Sequence, residues 1–100
     1  MGNSRTTRPL SVLLRELREE QGASLRDAAR ALGVDASYLS RLERGQKPVS
    51  SGVLSRASTL YNVSEEVLAL AEGRVPADVV RILQTHPEVI PELRERYGSS

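Results

Sequence analysis

The stretch that decides the fold lies between residues 13 and 45 and reads LLRELREEQGASLRDAARALGVDASYLSRLERG. Apolar residues recur along it at spacings of three and four, in segments that end at Gly22, Gly33 and Gly45. This spacing gives a helix one face that can be buried. Glycine commonly ends a helix, because it adopts the left-handed conformation there at little steric cost. The pattern therefore predicts consecutive short helices separated by tight turns.

The second and third of these helices are joined by a very short connection. Ser24 is expected to cap the second helix and Asp35 the third, because short polar side chains accept hydrogen bonds from the unpaired N–H groups at helix starts. Gly33, Val34 and Asp35 form the connection between the two apolar stripes. Two helices joined by a glycine-containing turn of about three residues have the sequence form of a helix-turn-helix.

Helices are also predicted on both sides of this unit. Pro9 suits the first turn of a helix, where its missing N–H does no harm. A fourth helix is expected over residues 51–61, and a fifth, short one before Gly73. Pro76 is expected to open a sixth helix, and a last helical stretch, bent or restarted at a proline, should run to Tyr97.

Composition favours an all-α chain and excludes several kinds of site. The three aromatic residues are tyrosines, so Leu, Val and Ala must build the core, and no period-two apolar run predicts a strand. The absence of cysteine excludes disulfides and cysteine-bound zinc. His86 is the one histidine and has no partner motif, so we expect no metal, no cofactor and no enzyme. Apolar runs are far too short to cross a membrane, and we expect a cytoplasmic protein with no membrane partner.

Charge is distributed unevenly along the chain although the net charge is only +1. Through Tyr61 there are ten Lys and Arg against six Asp and Glu, whereas from Asn62 onward there are four against seven. The first part therefore carries +4 and the second −3. A basic front and an acidic back suggest that only the front meets a polyanion.

The region from residue 9 to about residue 70 resembles the phage-repressor, or XRE, family of helix-turn-helix regulators. The matching positions are Leu17, Arg18, Gly22, Ala29, Leu32, Gly33, Val34, the run from Leu39 to Gly45, Pro48, and the segment from Leu54 to Leu68. The resemblance implies a lambda-repressor-like bundle of five helices over residues 9–73, whose third helix enters the DNA major groove. Residues 1–8 would be a flexible N-terminal tail and residues 74–97 a C-terminal helical extension. One departure is Leu25, where the family often has a glutamine that supports a phosphate contact.

Within the resemblance, the start of the third helix should read the bases. The expected base contacts are Ala36, Ser37, Ser40 and Arg41, and the expected phosphate contacts are Ser24, Tyr38, Arg44 and Lys47. Arg41 is the strongest candidate, because its planar fork can donate two hydrogen bonds to guanine O6 and N7. A solvated surface is the alternative for Arg41 and the serines, and a partial core role is the alternative for Tyr38. Glu43 is expected to be structural, paired with an arginine such as Arg18, because DNA would repel a carboxylate.

Three functions remain open on the sequence alone. The first is a sequence-specific regulator of transcription, a repressor that binds double-stranded DNA as a homodimer on a palindromic operator. The second is an antitoxin or accessory protein whose main partner is another protein, and the third is an adaptor that no longer binds DNA. The extension bears on this choice, because it could dimerise, fold back on the bundle or hold a partner peptide. We expect dimerisation through its apolar residues Val79, Val80, Leu83, Val89, Ile90 and Leu93.

Overall fold

The computed structural model of the chain describes residues 8–98, and these form seven α-helices with no strand among them. The all-α prediction is thus confirmed. The helices are α1 (Leu10–Glu20), α2 (Leu25–Leu32), α3 (Ala36–Glu43), α4 (Ser51–Tyr61), α5 (Glu65–Ala71), α6 (Ala77–Thr85) and α7 (Val89–Tyr97). The predicted N-terminal tail lies outside the described residues except for Arg8, whose guanidinium pairs with the carboxylate of Glu16 on α1.

Serine side chains begin three of the helices. Ser24 Oγ accepts a hydrogen bond from the Asp27 N–H at 3.0 Å, and Ser50 Oγ accepts one from the Val53 N–H at 3.2 Å. Ser64 caps α5 in the same manner. Asp35 precedes α3 in an extended conformation, but its side chain accepts no capping hydrogen bond, which differs from the sequence prediction. Local capping therefore fixes the start of α2 more firmly than the start of α3.

The turn between α2 and α3 depends on one glycine. Gly33 has a φ of +76°, a conformation that costs a residue with a side chain about 1 kcal/mol or more. This conformation lets the Gly33 N–H donate to the Arg30 carbonyl at 3.2 Å and the Val34 N–H donate to the Ala29 carbonyl at 3.0 Å. Both bonds satisfy carbonyls that the end of α2 would otherwise leave unpaired.

Helices α1–α5 pack around one leucine-rich core. The largest fully buried side chains come from four of the five helices: Leu14, Leu32, Leu39, Leu42 and Leu68. Small residues on α2 and α4 are also buried, which lets these helices approach closely. The core therefore buries Leu39 and Leu42 on one side of α3 and leaves Ser37 and Arg41 exposed on the other.

Helices α6 and α7, which we call the extension, make a different arrangement. Neither helix contains a buried residue. The radius of gyration is 15.6 Å, whereas a compact chain of this length has about 13 Å, and the longest dimension is 47 Å. Pro76 precedes α6 rather than opening it, and α7 runs unbroken through Pro91, which lies in its first turn and so disturbs no helical hydrogen bond. The extension therefore buries no side chain of its own against the bundle.

Candidate nucleic-acid interface

Helix α3 divides into an inward and an outward face. Leu39 and Leu42 are buried in the core, whereas Ser37 and Arg41 are exposed. Ser37 and Arg41 are four residues apart, so their side chains lie one above the other on the same side of the helix. Among the predicted base contacts these two thus form one outward stripe. Ala36 and Ser40, also four residues apart, are half-buried and lie along its edge.

A buried ion pair holds the end of α3 against α1. Arg18 donates from Nε to Glu43 Oε2 at 2.8 Å and from Nη2 to Glu43 Oε1 at 3.0 Å. Its third donor reaches the Ala23 carbonyl at 3.0 Å, and the two side chains are only 13% and 5% exposed. The hydrogen bond to the Glu43 carboxylate raises the pKa of Arg18 above its ordinary value. Glu43 is therefore turned inward, as the sequence predicted, and does not face a polyanion.

Positive charge collects beyond the end of α3. Arg44 Nε donates to the Ser40 carbonyl at 3.3 Å, which caps the helix and leaves the rest of the guanidinium exposed. Lys47 is exposed in the loop that follows. Among residues 8–98, no ion pair engages Arg41, Arg44 or Lys47. These three cations therefore give the outward side of α3 a positive potential that neighbouring carboxylates do not cancel.

The remaining predicted phosphate contacts, Ser24 and Tyr38, also take part in helix capping and core packing. Ser24 is exposed, and its hydroxyl oxygen caps α2 while its O–H can still donate outward. Tyr38 is half-buried and packs against the core, as its alternative role requires, and its phosphate contact stays a prediction. Both residues lie near the starts of α2 and α3, at the opposite end of α3 from Lys47.

Sequence reasoning missed Arg26. It lies with Ser24, Asp27 and Ala36 around a shallow depression where α2 and α3 both begin. Asp27 Oδ1 is 3.8 Å from Arg30 Nη1, and no ion pair within the described part of the chain engages Arg26. The sequence offers one indication of this role. Arg26 directly follows Leu25, and Leu25 occupies the position where the resemblance implies a phosphate contact that leucine cannot make.

Comparison with known proteins identifies the family. A family model described as a helix-turn-helix domain matches residues 9–71. The chain belongs to this helix-turn-helix family. The ImmF control region 10 kDa protein of Bacillus phage phi105 is 35% identical over 66 residues, which cover 66% of this chain and 73% of the phage protein. The transcriptional regulator ClgR of Mycobacterium tuberculosis is 33% identical over 75 residues, which cover 75% of this chain and 67% of ClgR.

Other relatives are longer than this chain. An uncharacterized HTH-type transcriptional regulator of Mycobacterium tuberculosis is 40% identical over 60 residues, but these cover only 43% of its length. The two relatives from Mycobacterium tuberculosis are named as transcriptional regulators, which are not enzymes. The chain is thus a DNA-binding helix-turn-helix transcriptional regulator, and the expectation of no enzymatic function is confirmed by its relatives.

The similarity to solved structures reaches beyond the helix-turn-helix domain. A crystal structure of the clp gene regulator ClgR from Corynebacterium glutamicum aligns with 92% of this chain and 94% of its own, with a TM-score of 0.58 and 27% identity. Residues 74–100 are 27 of the 100, so an alignment over 92% must include much of the extension. The alignment with that regulator therefore continues past the five-helix bundle.

Residues 8–98 contain neither a candidate metal site nor a helix that could span a membrane. The described residues hold no group of three His, Cys, Asp or Glu side chains that suits a metal ion. His86 Nδ1 lies 3.2 Å from Glu88 Oε2 at the exposed junction of α6 and α7. No helix formed by residues 8–98 is both long enough and apolar enough to cross a bilayer.

Proposed function

We propose that this helix-turn-helix regulator is a repressor that binds a specific DNA sequence as a homodimer on a palindromic operator. The observation that carries the proposal is the outward stripe of α3, where Ser37 and Arg41 are exposed and Arg41 has no acidic partner among the described residues. The buried pair between Arg18 and Glu43 anchors that helix, so the stripe is presented on a rigid element.

Base reading would come from the outward side of α3, the helix that enters the major groove in this kind of domain, from Ser37 in its first turn to Arg41 in its last turn. Arg41 donates two hydrogen bonds to guanine O6 and N7, a contact that discriminates bases by about 1–3 kcal/mol. Ser37 donates or accepts and discriminates less strongly. Ala36 and Ser40 are half-buried at the edge of the stripe formed by Ser37 and Arg41, so each can contact only a base next to that edge. The small side chain of Ala36 suits a thymine methyl group.

Phosphate contacts would flank the reading helix on both sides. Arg44 and Lys47 lie past its end, whereas Ser24, Tyr38 and the newly recognised Arg26 lie near its start. Arg26 then takes the place of the glutamine contact that Leu25 cannot make. Such contacts fix the orientation of the protein on the duplex and carry no sequence information themselves.

The extension is the part of the chain that supports the proposed homodimer. A single module of this size buries only about 600–1,000 Å² against DNA, and two copies on one operator bind far more tightly. Val79, Ile82, Ile90 and Leu93 are exposed on α6 and α7, and a second copy of the same surface would cover them through a two-fold axis. That axis would place two α3 helices about 34 Å apart on one side of the DNA. Repression then needs only that the dimer occupy its operator.

The DNA-binding proposal is tested by selecting a site from random duplexes and titrating variants by fluorescence anisotropy. Arg41→Ala should weaken the selected site by about 1–3 kcal/mol and relax preference at one base pair, with random DNA nearly unchanged. Lys47→Ala should weaken all sequences alike and lower the salt slope by about one. Arg15→Ala is the matched control, since Arg15 is exposed on α1 and paired with Glu19. Equal loss on selected and random DNA in Arg41→Ala would contradict base reading.

A second candidate rests on the same apolar extension. In an antitoxin or accessory protein, a different protein would cover α6 and α7, and DNA binding would serve autoregulation. This candidate predicts a chain that stays monomeric at micromolar concentration and binds a palindrome no better than one half-site. Sedimentation of the pure chain separates it from the homodimer.

A further inference from the structure

Arg56 on α4 reaches across to the end of α2. Its Nε donates a hydrogen bond of 2.7 Å to the carbonyl of Leu32, the last residue of that helix. The final carbonyls of a helix have no partner four residues on, so they need a donor from elsewhere. A positive guanidinium is well suited to this place, because the carboxyl end of a helix carries a partial negative charge.

The guanidinium of Arg56 also lies against two glycines. A Cβ built on Gly33 would stand 3.6 Å from Nε, and one built on Gly52 would stand 3.5 Å from Nη1. The fork thus occupies the space between the turn that leads into α3 and the first turn of α4. Because Gly52 belongs to α4 itself, Arg56 lies along its own helix there and reaches from it to the end of α2 and the turn at Gly33.

The contact of Arg56 lies near one end of α3, and the ion pair between Arg18 and Glu43 lies at the other. Arg18 and Glu43 fix the carboxyl end of α3 to α1, 2.8 Å apart in a buried pair. At the amino end, Asp35 makes no capping hydrogen bond with its side chain. The amino end of α3, which carries Ser37, therefore has the weaker local anchor, and Arg56 supplies a tether just upstream of it.

We infer that Arg56 is a positioning residue for DNA recognition, which fixes the turn at Gly33 and so sets the direction of α3. The inference rests on the proposed role of α3 as the reading helix. Lysine would not replace arginine, because it lacks both the Nε–H that bonds Leu32 and the planar fork that fits between the glycines. Arg56 would affect DNA binding by holding α3 in the correct orientation, and it would not contact the DNA itself.

The binding experiment compares Arg56→Ala and Arg56→Lys on the selected site and on random duplex, with Arg15→Ala as the control for loss of an exposed charge. Both Arg56 variants should bind the selected site about five- to tenfold more weakly and random DNA as the wild type does, with the salt slope unchanged. A phosphate contact would give another pattern: Arg56→Ala would weaken both duplexes equally and lower the slope by about one, while Arg56→Lys would retain wild-type binding. That pattern would overturn the inference.

Amide hydrogen exchange of the free, full-length protein tests the tether without DNA. The N–H groups of Gly33 and Val34, which bond carbonyls of α2, should exchange faster in both Arg56 variants while the Leu42 amide in the core keeps its protection. Unchanged exchange at the turn would refute the inference even if DNA binding fell. If Arg56→Ala does not fold, Arg56→Lys decides both experiments. Failure of the proposed function shows separately, as an absence of any effect of Arg41→Ala on the selected site.

Discussion

The bundle of α1–α5 and the extension of α6–α7 contain similar apolar stripes but use them differently. Each helix of the bundle buries at least one residue, and neither helix of the extension buries any. A helix of nine residues is too short to be stable alone in water, so the extension gains little from its own hydrogen bonds. Amphipathic spacing therefore predicts a helix, but where its apolar face is buried depends on residues far away in the sequence.

The two regions have the same net charge and differ in where their exposed cations lie. Residues 8–73 carry nine Lys and Arg against nine Asp and Glu, and residues 74–100 carry four Arg against four Asp and Glu. Within the bundle, the exposed cations Arg41, Arg44 and Lys47 lie along α3 and just beyond its end, and Arg26 lies near its start. A polyanion would be attracted to this side of the bundle. DNA contact by this side and protein contact by the extension are proposals, and each can be tested by changing one region alone.

The largest expected effect is a loss of stability in the bundle. Leu42 is fully buried, and Leu42→Ala should lower the free energy of unfolding by about 3–5 kcal/mol, because it removes apolar contact and leaves a cavity. Leu93→Ala, the same change at an exposed position of α7, should cost well under about 1 kcal/mol at a concentration where the chain is monomeric. Urea unfolding followed by circular dichroism measures both. Equal losses would show that the extension belongs to the same folding unit as the core.

The second effect concerns self-association through the extension. Ile82 is 52% exposed on α6, so Ile82→Asp disturbs no internal packing but places a charge on the apolar face. The dissociation constant of the dimer should rise by roughly 30- to 100-fold, the equivalent of about 2–3 kcal/mol. Thr85→Asp adds the same charge at an exposed position of the same helix, away from Val79, Val80 and Leu83, and is the matched control. Sedimentation equilibrium measures the constant for each variant.

Truncation after Gly73 completes this test. The shortened chain should remain helical and folded, because the core residues all precede that position. It should sediment as a monomer and bind a palindrome more weakly than the full chain does. A folded dimer of unchanged affinity would place the interface in the bundle, and an unfolded product would mean that the extension stabilises the core of its own chain.

Features set by neighbouring residues were predictable from the sequence, and features set by distant contacts were mostly not. The α2 cap at Ser24 and the left-handed turn at Gly33 depend on hydrogen bonds over three to five residues, which a local pattern reveals. The pairing of Glu43 with Arg18 was predicted because a carboxylate beside DNA needs an internal cation. The bond from Arg56 to Leu32 spans 24 residues and depends on how α4 packs against α2, so no local pattern predicts it.

The smallest expected effect separates the regions by the titration of their tyrosines. Tyr61 is 7% exposed at the end of α4, whereas Tyr97 is 71% exposed at the end of α7. Burial raises the pKa of Tyr61 above 10.0, because the phenolate is poorly solvated there, and the nearby carboxylate of Glu43 adds to the rise while Arg18 opposes it. The folded chain therefore holds this proton more tightly than the unfolded chain does.

Stability should follow from that difference in proton binding. The contribution of Tyr61 is fully present below the unfolded pKa of about 10 and is lost as the pH rises through the higher folded pKa. The slope of this loss cannot exceed about 1.4 kcal/mol per pH unit for one proton. Tyr61→Phe should therefore reduce the alkaline decline in the free energy of unfolding between about pH 9 and pH 11, measured by urea titration at each pH. Tyr97→Phe, which removes an exposed hydroxyl from the extension, is the matched control, and the wild-type decline should remain in it. If the two variants had the same alkaline profile, burial of Tyr61 would not be the cause of the decline, and the bundle and the extension would not differ in this respect.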